Sequence, residues 1–319
     1  MNNDLKERGF SYVSHSIVFK NSSQKIHFAM ILNNPQFRVE IIRAKARRDA
    51  SIEERKKLQK EIIRSHMNKQ PQYELYDYFP LDKLSQLLAS QKNKILFAIN
   101  GSFYIDFGYF RDIDNDESPL YSLGDPIGVL KIHKTSAGQQ LANRPIVKIN
   151  SESRFIFNEK NIDDSQYIIT AGPTLFRNGQ RITENSIWQE ESFTDNNPPL
   201  SLTKDLYSYT CARSALIEIE TGEFNQQLMA FVTLEGGSND AQGLTLADFS
   251  ECIQQVLHEY HLSPINGVYL DGGACSELIG EQGIILSSPS GMSDKSPTGE
   301  KYGTERYIAY SIALVKNTV

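Results

Sequence analysis

The chain has 319 residues, of which 39% are hydrophobic and 10% aromatic, so it is long and apolar enough to bury a large core. Its formal net charge is −6, and the basic cluster between Lys45 and Lys57 is diluted by Glu53 and Glu54. The composition therefore predicts a globular protein and argues against nucleic acid or an anionic membrane as a partner.

The cellular location is indicated by the N-terminus and by the cysteines. Residues Met1 to Phe10 contain no apolar signal region, and no stretch approaches the ~18 apolar residues of a membrane span. Three cysteines, Cys211, Cys252 and Cys275, are too few, and odd in number, for a disulfide framework. We therefore expect a cytoplasmic protein.

The first part of the chain predicts three strands and two helices. Runs rich in β-branched and aromatic residues, separated by Asn, Ser and Pro, indicate the strands. The helices are indicated by a capping pair, Ser51 with Glu54, and by a leucine stripe after Pro80. The predicted elements are strands at Tyr12 to Phe19, Lys25 to Leu32 and Phe37 to Arg43, a helix from Ser51 towards Met67, and a helix with Leu81, Leu84, Leu87 and Leu88 on one face.

The rest of the chain is predicted to be mostly strands, with one clear helix. Asn178-Gly179 between apolar runs predicts a two-residue hairpin turn. Thr245 with Asp248 predicts the start of a helix that ends near Tyr260. Its core face would carry Phe249, Cys252, Ile253, Val256 and Leu257. Strands are predicted at Lys94 to Ile99, Ile127 to Ile132, Arg154 to Phe157, Tyr167 to Thr170, Ala215 to Glu220, Gln227 to Leu234, Ile265 to Leu270 and Arg306 to Val315.

These elements predict an α+β fold with mixed, largely antiparallel β-sheets, a few packed helices and a single domain. Residues 1–80 are expected to be an integral part of that domain, although a partner-binding or dimerising role for them stays open. Two long polar connections, Trp188 to Tyr209 and Ser287 to Glu305, are typical of lids or binding loops.

Four strand ends carry polar or glycine-rich clusters: Asn100-Gly101, Ala171–Thr174, Cys211–Ser214 and Leu270–Gly273. Strands that end in such clusters tend to point their last side chains at a common edge, where sites are built. Asp271 would place a carboxylate at that edge, and the glycines after it would allow a ligand to approach the main chain. The alternative is a tight turn in which Asp271 caps its own backbone.

Seven short motifs follow one another along the chain. They are Ile99–Tyr104, Gly128–Leu130, Ala171–Leu175 with Asn178-Gly179, Arg213–Ala215, Gly243–Leu246, Leu270–Gly273 and Arg306. In these motifs and their order the chain resembles the phosphodiester glycosidase family over about Leu81 to Val315. The resemblance implies that residues 81–319 form a catalytic domain. It also implies hydrolysis of a sugar-1-phosphodiester at the anomeric C–O bond, which leaves the phosphate on the other alcohol.

The resemblance, together with the needs of this reaction, suggests roles for individual residues. Arg213 and Arg306 are expected to bind the phosphate, because a guanidinium group matches two of its oxygens. Asp271 is expected to stabilise or attack the anomeric carbon, with Glu277 and Glu235 as candidates for activating water. Ordinary solvated side chains are an equally good interpretation of both glutamates. The other expected substrate contacts are Asn100, Gly101, Tyr104, Gly172, Gly272, Gly273 and Cys275.

Some of these residues also have a structural interpretation. Asn100 could cap a strand-end turn, and Cys275 beside Asp271 is better read as an inert cysteine than as a nucleophile, because no histidine has a supporting spacing. The chain departs from the family pattern at Ala274-Cys275, at Glu235-Gly236-Gly237 and at Tyr310. These departures motivate a second hypothesis, a non-hydrolytic protein that binds a sugar phosphate or a nucleotide-like phosphodiester.

A metal site is only weakly indicated. Asp112, Asp114 and Asp116 resemble the start of a calcium loop, but Glu117 replaces the required glycine and Leu123 the bidentate glutamate. No Cys/His spacing suits zinc. We expect no cofactor, although an oxygen-ligated divalent cation such as calcium or magnesium stays open. The expected partner is a small-molecule sugar or nucleotide-like phosphodiester, and the sequence does not predict an oligomeric state.

Overall fold

The fold is built from antiparallel β-sheets with few helices, which confirms the predicted α+β class. The described strands form sheets of seven, five, five and two strands, and their strand pairs are antiparallel. The computed structural model describes residues 5, 7–32, 36–45, 51, 53, 54, 57, 82–89, 94–103, 126–138, 144–157, 165–183, 185–191, 210–220, 228–238, 243–287 and 307–317.

The seven-stranded sheet combines N-terminal and C-terminal parts of the chain. In spatial order its strands are β1 (Phe10–Phe19), β2 (Ser22–Leu32), β14 (Leu228–Ser238), β13 (Cys211–Glu220), β15 (Ser263–Tyr269), β11 (Thr174–Arg177) and β12 (Gln180–Arg181). Strand β2 pairs with β14, so the first hairpin extends a sheet whose other strands come from the second half of the chain. Apolar residues of both faces of β13 are buried, as expected for a central strand.

A five-stranded sheet carries the first of the predicted site segments. In spatial order its strands are β17 (Ile285–Ser287), β16 (Leu278–Gly280), β5 (Ile95–Asn100), β19 (Tyr310–Lys316) and β3 (Phe37–Arg43). Strand β5 is buried along its whole length, which explains its unbroken apolar run. Strand β3 lies at one edge of this sheet and pairs only with β19 among the described strands.

A second five-stranded sheet is formed by the part of the chain between β5 and β11. Its order is β7 (Thr135–Ala137), β6 (Leu130–Ile132), β10 (Tyr167–Thr170), β8 (Ile146–Ile149) and β9 (Phe155–Phe157). The smallest sheet pairs β18 (Tyr307–Ile308) with β4 (Asp82–Lys83). Of the three larger sheets, we call the one formed by β7, β6, β10, β8 and β9 the third sheet.

The longest helix, Leu246–Glu259, begins as predicted. The Thr245 hydroxyl accepts the Asp248 N–H at 3.2 Å, which satisfies a backbone donor of the first turn. The predicted apolar face, which includes Phe249 and Leu257, is buried, and the helix packs against β15. The other helices with defined bounds are Leu84–Leu88 and Asn185–Glu191. No helix in the described part of the chain is long and apolar enough to cross a membrane.

Several element bounds differ from the sequence prediction. The helix expected after Pro80 begins only at Leu84, because the two residues before it pair as a strand with β18. The strand expected from Ile127 begins at Leu130, since Gly128 adopts φ +94°. The hairpin at Asn178-Gly179 is confirmed, with φ values of 51° and 78° that suit a type I′ turn.

Some sequence predictions fall outside the described residues. The Ser51 hydroxyl does accept the Glu54 N–H at 3.1 Å, as the capping pair predicts, but the helix towards Met67 lies mostly outside. The turn at Thr221-Gly222, the long connections beyond Glu191 and beyond Ser287, and the acidic loop around Asp114 lie outside as well.

Candidate active site

Segments from several strand ends meet beside Asp271. The Asp271 N–H donates to the Gly101 carbonyl at 3.3 Å, and the Leu270 N–H donates to the Ser214 carbonyl at 2.9 Å. The Gly172 N–H donates to the last residue of β15 at 2.8 Å. The segments at Asn100, Gly172, Arg213 and Asp271 are therefore neighbours in space, although they are distant in sequence.

Asn100 links three of these segments. Its Nδ2 donates to the Asp271 carbonyl at 2.9 Å and to the Gly101 carbonyl at 3.0 Å. Its Oδ1 accepts the Ser214 hydroxyl at 2.7 Å and the Glu277 N–H at 3.3 Å. The side chain is fully buried, so these bonds fix the backbone of Asp271 relative to β5 and β13. The predicted turn cap at Asn100 is one part of this larger network.

The Asp271 carboxylate lies at the partly exposed edge of this network. Its Oδ1 accepts the Gly272 N–H at 2.9 Å, so the capping interaction that the sequence left as an alternative is present. The next residue, Gly273, has φ +61° and starts the short turn Gly273–Cys275. This backbone orients the carboxylate and leaves it partly accessible.

Gly272 is required for steric reasons. A Cβ atom at this position would lie 1.7 Å from the Tyr269 hydroxyl and 3.1 Å from the Ala212 carbonyl oxygen. The φ of Gly272 is −125°, which any residue can adopt, so the restriction comes from packing and not from the backbone angle. The sequence predicted that a ligand approaches the main chain at this glycine; in the structure the atoms that approach it closely belong to Tyr269 and Ala212.

The glycine amides that were expected to contact a ligand all bond within the protein. The Gly101 N–H donates to the Tyr310 carbonyl at 2.9 Å, and the Gly272 N–H to Asp271. The backbone of Gly273 hydrogen-bonds the Cys211 sulfur. The donors of these three amides are thus used within the protein and shape the turn, and their contact with substrate stays a prediction.

Arg213, which precedes the Ser214 that bonds to Leu270, is completely buried. Its Nε donates to the Leu244 carbonyl at 3.0 Å and its Nη1 to the Tyr269 hydroxyl at 3.1 Å. The guanidinium carbon lies 5.1 Å from the centre of the Tyr269 ring, within cation–π range. Arg213 is thus held rigidly in the site.

The other predicted phosphate ligand, Arg306, and the predicted contact Tyr104 lie outside the described residues.

A second buried arginine, Arg144, was not predicted from the sequence. Its Nη1 lies 3.3 Å from the Gly172 carbonyl, and its guanidinium carbon lies 5.4 Å from the centre of the Phe103 ring. The Phe103 and Tyr269 rings are 5.8 Å apart, so two arginines and two aromatic rings form one row, with Arg213 at the other end. No local signal marks Arg144, which follows no strand end and belongs to no motif.

Neither cysteine near Asp271 has the character of a nucleophile. Burial raises the pKa of the Cys211 thiol, although Arg213 opposes this shift. Cys275 is 3% exposed and packs in the hydrophobic core. The buried position of Cys275 suits the inert interpretation, and its contact with substrate stays a prediction.

The two candidate glutamates lie in different surroundings. Glu277 is 4% exposed, and its backbone exchanges hydrogen bonds with Asn100, so it is buried at the site and not solvated. Glu235 accepts from His27 Nε2 at 2.7 Å and lies 3.1 Å from Lys25 Nζ. The side-chain contacts described for Glu235 are thus with two residues of β2, His27 and Lys25. Its predicted role in activating water has no direct support from these contacts.

His27 connects Glu235 to a tyrosine. The Tyr12 hydroxyl lies 2.6 Å from His27 Nδ1, and the two rings are stacked with centres 6.0 Å apart. Burial lowers the pKa of His27 despite the neighbouring carboxylate, and burial raises the pKa of Tyr12. The imidazole is therefore held neutral between a phenol and a carboxylate.

Tyr310 supports the turn after β5. Its hydroxyl accepts the Ser102 N–H at 2.9 Å, and its ring fills the space where a Cβ on Gly101 would lie, 2.5 Å away. Burial raises the pKa of Tyr310, so the phenol stays protonated. Tyr310, at which the sequence departs from the family pattern, thus has a structural role as a buried phenol.

Among the described residues no group of three His, Cys, Asp or Glu side chains is placed to hold a metal ion.

Sequence comparison and structural comparison give different results. No protein-family model and no curated protein matches the chain. The fold is similar to the zebrafish N-acetylglucosamine-1-phosphodiester alpha-N-acetylglucosaminidase catalytic domain, auto-inhibited by its pro-peptide, with 12% identity, a TM-score of 0.56, and coverage of 97% of this chain and 83% of that chain.

Two other solved structures are similar. A hypothetical protein from Synechocystis has 11% identity, a TM-score of 0.56, and coverage of 97% of this chain and 62% of that chain. A putative exported protein from Burkholderia pseudomallei K96243 has 10% identity, a TM-score of 0.50, and coverage of 92% and 74%. At these identities the likeness shows the fold, so the chain shares the fold of a phosphodiester glycosidase catalytic domain.

Proposed function

We propose that this chain is a hydrolase that cleaves the glycosidic C–O bond of a sugar-1-phosphodiester, with Asp271 as the catalytic carboxylate. The observation that carries the proposal is a partly exposed carboxylate, oriented by Gly272 and Asn100, at the point where several strand ends meet above a buried arginine. The shared fold with a catalytic domain named for an N-acetylglucosamine-1-phosphodiester supports it. Fold alone does not determine the reaction, so the argument rests on the site.

In this reaction the bond between the anomeric carbon and the phosphate oxygen breaks, and its electron pair goes to that oxygen. Asp271 either stabilises the positive charge that develops at the anomeric carbon, or attacks this carbon and forms a bond to it that water then breaks. The oxygen of water forms the new bond, and Glu277, which lies beside Asn100, is the candidate that takes the water proton. A phosphate is a weakly basic leaving group, so a strong general acid is unnecessary.

We assign the phosphate to the arginines. Arg213 contributes a positive charge that is already held in place, and such preorganised charge stabilises an anion without reorganisation during the reaction. Arg306 stays a predicted second ligand. Gly172 borders the same edge, and Arg144 beside it adds a second buried positive charge. Asn100 acts in this proposal by positioning Asp271.

The proposal is tested with a panel of sugar-1-phosphodiesters and mass-spectrometric product analysis. Asp271→Asn should lower turnover by about 10³-fold or more, because the charge is lost while the shape is kept. The matched control is Glu281→Gln, which removes an exposed carboxylate close by in the sequence and should leave turnover unchanged. Full activity in Asp271→Asn, with the wild-type melting temperature, would refute the assignment.

A second function is favoured by the departures from the family pattern. Tyr310 fills its position with a buried ring, and Arg213 uses two of its donors within the protein. Both features suit a protein that binds a sugar phosphate or nucleotide-like phosphodiester without cleaving it. Calorimetry distinguishes the two functions, since tight binding of an intact phosphodiester with no product formed would favour the binding protein.

The compartment and the cation also stay proposals. All three cysteines are free and buried, which suits the reducing cytoplasm that we propose. For an oxygen-ligated calcium or magnesium ion, we propose that the substrate phosphate supplies part of the ligands, as is common for magnesium. Turnover measured before and after treatment with a chelator tests this directly.

A further inference from the structure

The hydroxyl group of Tyr269 lies against Gly272, the residue that follows Asp271. A Cβ atom on Gly272 would lie 1.7 Å from this hydroxyl and 3.1 Å from the Ala212 carbonyl oxygen. Tyr269 is 1% exposed and Ala212 is completely buried. The end of β15, the start of β13 and the turn after Asp271 therefore meet at this hydroxyl inside the protein.

The direction of the hydrogen bonds at Tyr269 follows from its arginine partner. Arg213 Nη1 lies 3.1 Å from the Tyr269 hydroxyl, and a guanidinium group can only donate, so the phenol oxygen accepts. The phenol hydrogen is then donated elsewhere, and the Cys211 sulfur is hydrogen-bonded to the Tyr269 side chain. A hydroxyl that accepts from a charged group is polarised and becomes a stronger donor.

The Cys211 sulfur joins the tyrosine to the backbone after Asp271. The side chain is completely buried, and its sulfur accepts from the Tyr269 hydroxyl and from the Gly273 backbone. Burial raises the pKa of this thiol, although Arg213 and both hydrogen bonds oppose the shift. Asp271 acts in the same direction as burial, so its carboxylate is close enough to influence the sulfur.

The Gly273 backbone in turn controls the turn that holds the carboxylate. Gly273 has φ +61°, a conformation that suits glycine, and it opens the short turn Gly273–Cys275. The residue before it, Gly272, donates its N–H to Asp271 Oδ1 at 2.9 Å. A hydrogen bond that fixes Gly273 therefore limits the movement of the adjoining peptide group, which orients the Asp271 carboxylate.

We infer that Tyr269 and Cys211 are positioning residues that connect Arg213 to the turn orienting the Asp271 carboxylate. The connection runs from Arg213 to the Tyr269 hydroxyl, then to the Cys211 sulfur, and ends at Gly273. This role rests on the proposed hydrolysis at Asp271, with Arg213 as the phosphate ligand. Both residues act through their neighbours and take no part in breaking the bond. A misplacement of about 1 Å at a reacting group can lower a rate about 100-fold, so such support affects turnover.

The first test compares two replacements of Cys211 on the sugar-1-phosphodiester that the wild-type protein cleaves best. Cys211→Ala removes the acceptor, so kcat should fall about 10- to 100-fold while KM changes less than about threefold. Cys211→Ser restores a side-chain acceptor for the same two donors. It should therefore bring kcat back to within about fivefold of the wild-type value.

The matched control is Cys252→Ala. Cys252 and Cys211 are both 0% exposed, but Cys252 lies on the core face of the helix Leu246–Glu259. Both alanine variants lose a buried thiol, so both should have lower melting temperatures. Only Cys211→Ala should lose kcat, and Cys252→Ala should keep it within about twofold. A purely structural role of Cys211 would give the two variants the same kcat.

A second test asks whether Tyr269 and Cys211 act as one chain of hydrogen bonds. Tyr269→Phe removes the hydroxyl between Arg213 and the sulfur, and it should lower kcat about tenfold or more. Tyr269→Phe combined with Cys211→Ala should be no more than about threefold slower than the slower single variant, because either change breaks the same chain. Combined with Cys252→Ala, the effects on kcat should multiply. The comparison of serine with alanine at Cys211 keeps the test valid if Tyr269→Phe does not fold.

Three results would overturn this role: wild-type kcat in Cys211→Ala, an equal loss of kcat in Cys211→Ser and Cys211→Ala, or effects of Tyr269→Phe and Cys211→Ala that multiply. In each case Asp271→Asn would still lack turnover, and the proposed hydrolysis would stand. Wild-type turnover in Asp271→Asn, or no cleavage by the wild-type protein, would instead remove the proposed function and the positioning role together.

Discussion

Gly272 offers a sharp test of how the site is packed. In Gly272→Ala the new methyl group would lie 1.7 Å from the Tyr269 hydroxyl, and Tyr269 is only 1% exposed, so it cannot swing into solvent. Overpacking costs about 1–3 kcal/mol. Displacing the hydroxyl also breaks its 3.1 Å bond to Arg213, and a hydrogen bond to a charged group contributes about 1.5–3 kcal/mol. We expect the free energy of unfolding to fall by about 3 kcal/mol or more.

A double-mutant cycle with Tyr269→Phe identifies the cause. Tyr269→Phe removes the obstructing hydroxyl and the same bond to Arg213, so alone it should cost about 2 kcal/mol. The double variant should be about 2 kcal/mol more stable than the sum of the single effects predicts. It should not recover fully, because the ring carbon Cζ would still lie 2.9 Å from the new methyl group.

The cycle is measured by guanidinium unfolding followed through the fluorescence of Trp188, the one tryptophan of the chain, which is 1% exposed. Gly179→Ala is the control, since nothing lies within 4 Å of a Cβ there and only its φ of +78° opposes the change. It should cost about 1 kcal/mol. Coupling between Gly272→Ala and Tyr269→Phe below about 0.5 kcal/mol would refute the steric argument.

Two further predictions concern stability. The pKa of His27 is lowered by burial, so below about pH 6.5 the unfolded chain binds a proton that the native chain does not. The free energy of unfolding should therefore decrease as the pH is lowered, by up to about 1.4 kcal/mol per pH unit. His27→Gln should flatten this slope in urea titrations between about pH 6.5 and 5.5, whereas the exposed His258→Gln should not; equal slopes would contradict the argument. Thr245→Ala removes the cap bond to Asp248 and should lower the free energy of unfolding by about 1 kcal/mol, against no change in the exposed Thr135→Ala; equal effects would rule out the cap.

Local elements could be predicted because their signals are local. The hairpin at Asn178-Gly179 needs two residues with positive φ, and Asn and Gly tolerate that conformation best. The helix after Thr245 combines a side-chain cap with an apolar stripe. Predictions failed where a distant partner decided the outcome: Asp82–Lys83 form a strand because Tyr307–Ile308 pair with them.

The site could be predicted in part. Asn100, Arg213 and Asp271 were singled out because each lies at one end of a predicted apolar strand, and the structure brings their segments together. Roles assigned to backbone donors stay predictions, because a sequence does not show which N–H groups already have acceptors. Arg144 could not be found, because its position beside Gly172 arises only when the third sheet meets the loop at that glycine.

By itself the sequence determined the antiparallel α+β character, the apolar strands and the acidic residue that ends one of them, because side-chain periodicity and turn chemistry act within a few residues. Only the tertiary structure decided which polar atoms remain available for a ligand. Hydrogen bonds and burial depend on residues that are far apart in the chain, as the contacts of Asn100 with Asp271 and of Arg213 with Tyr269 illustrate.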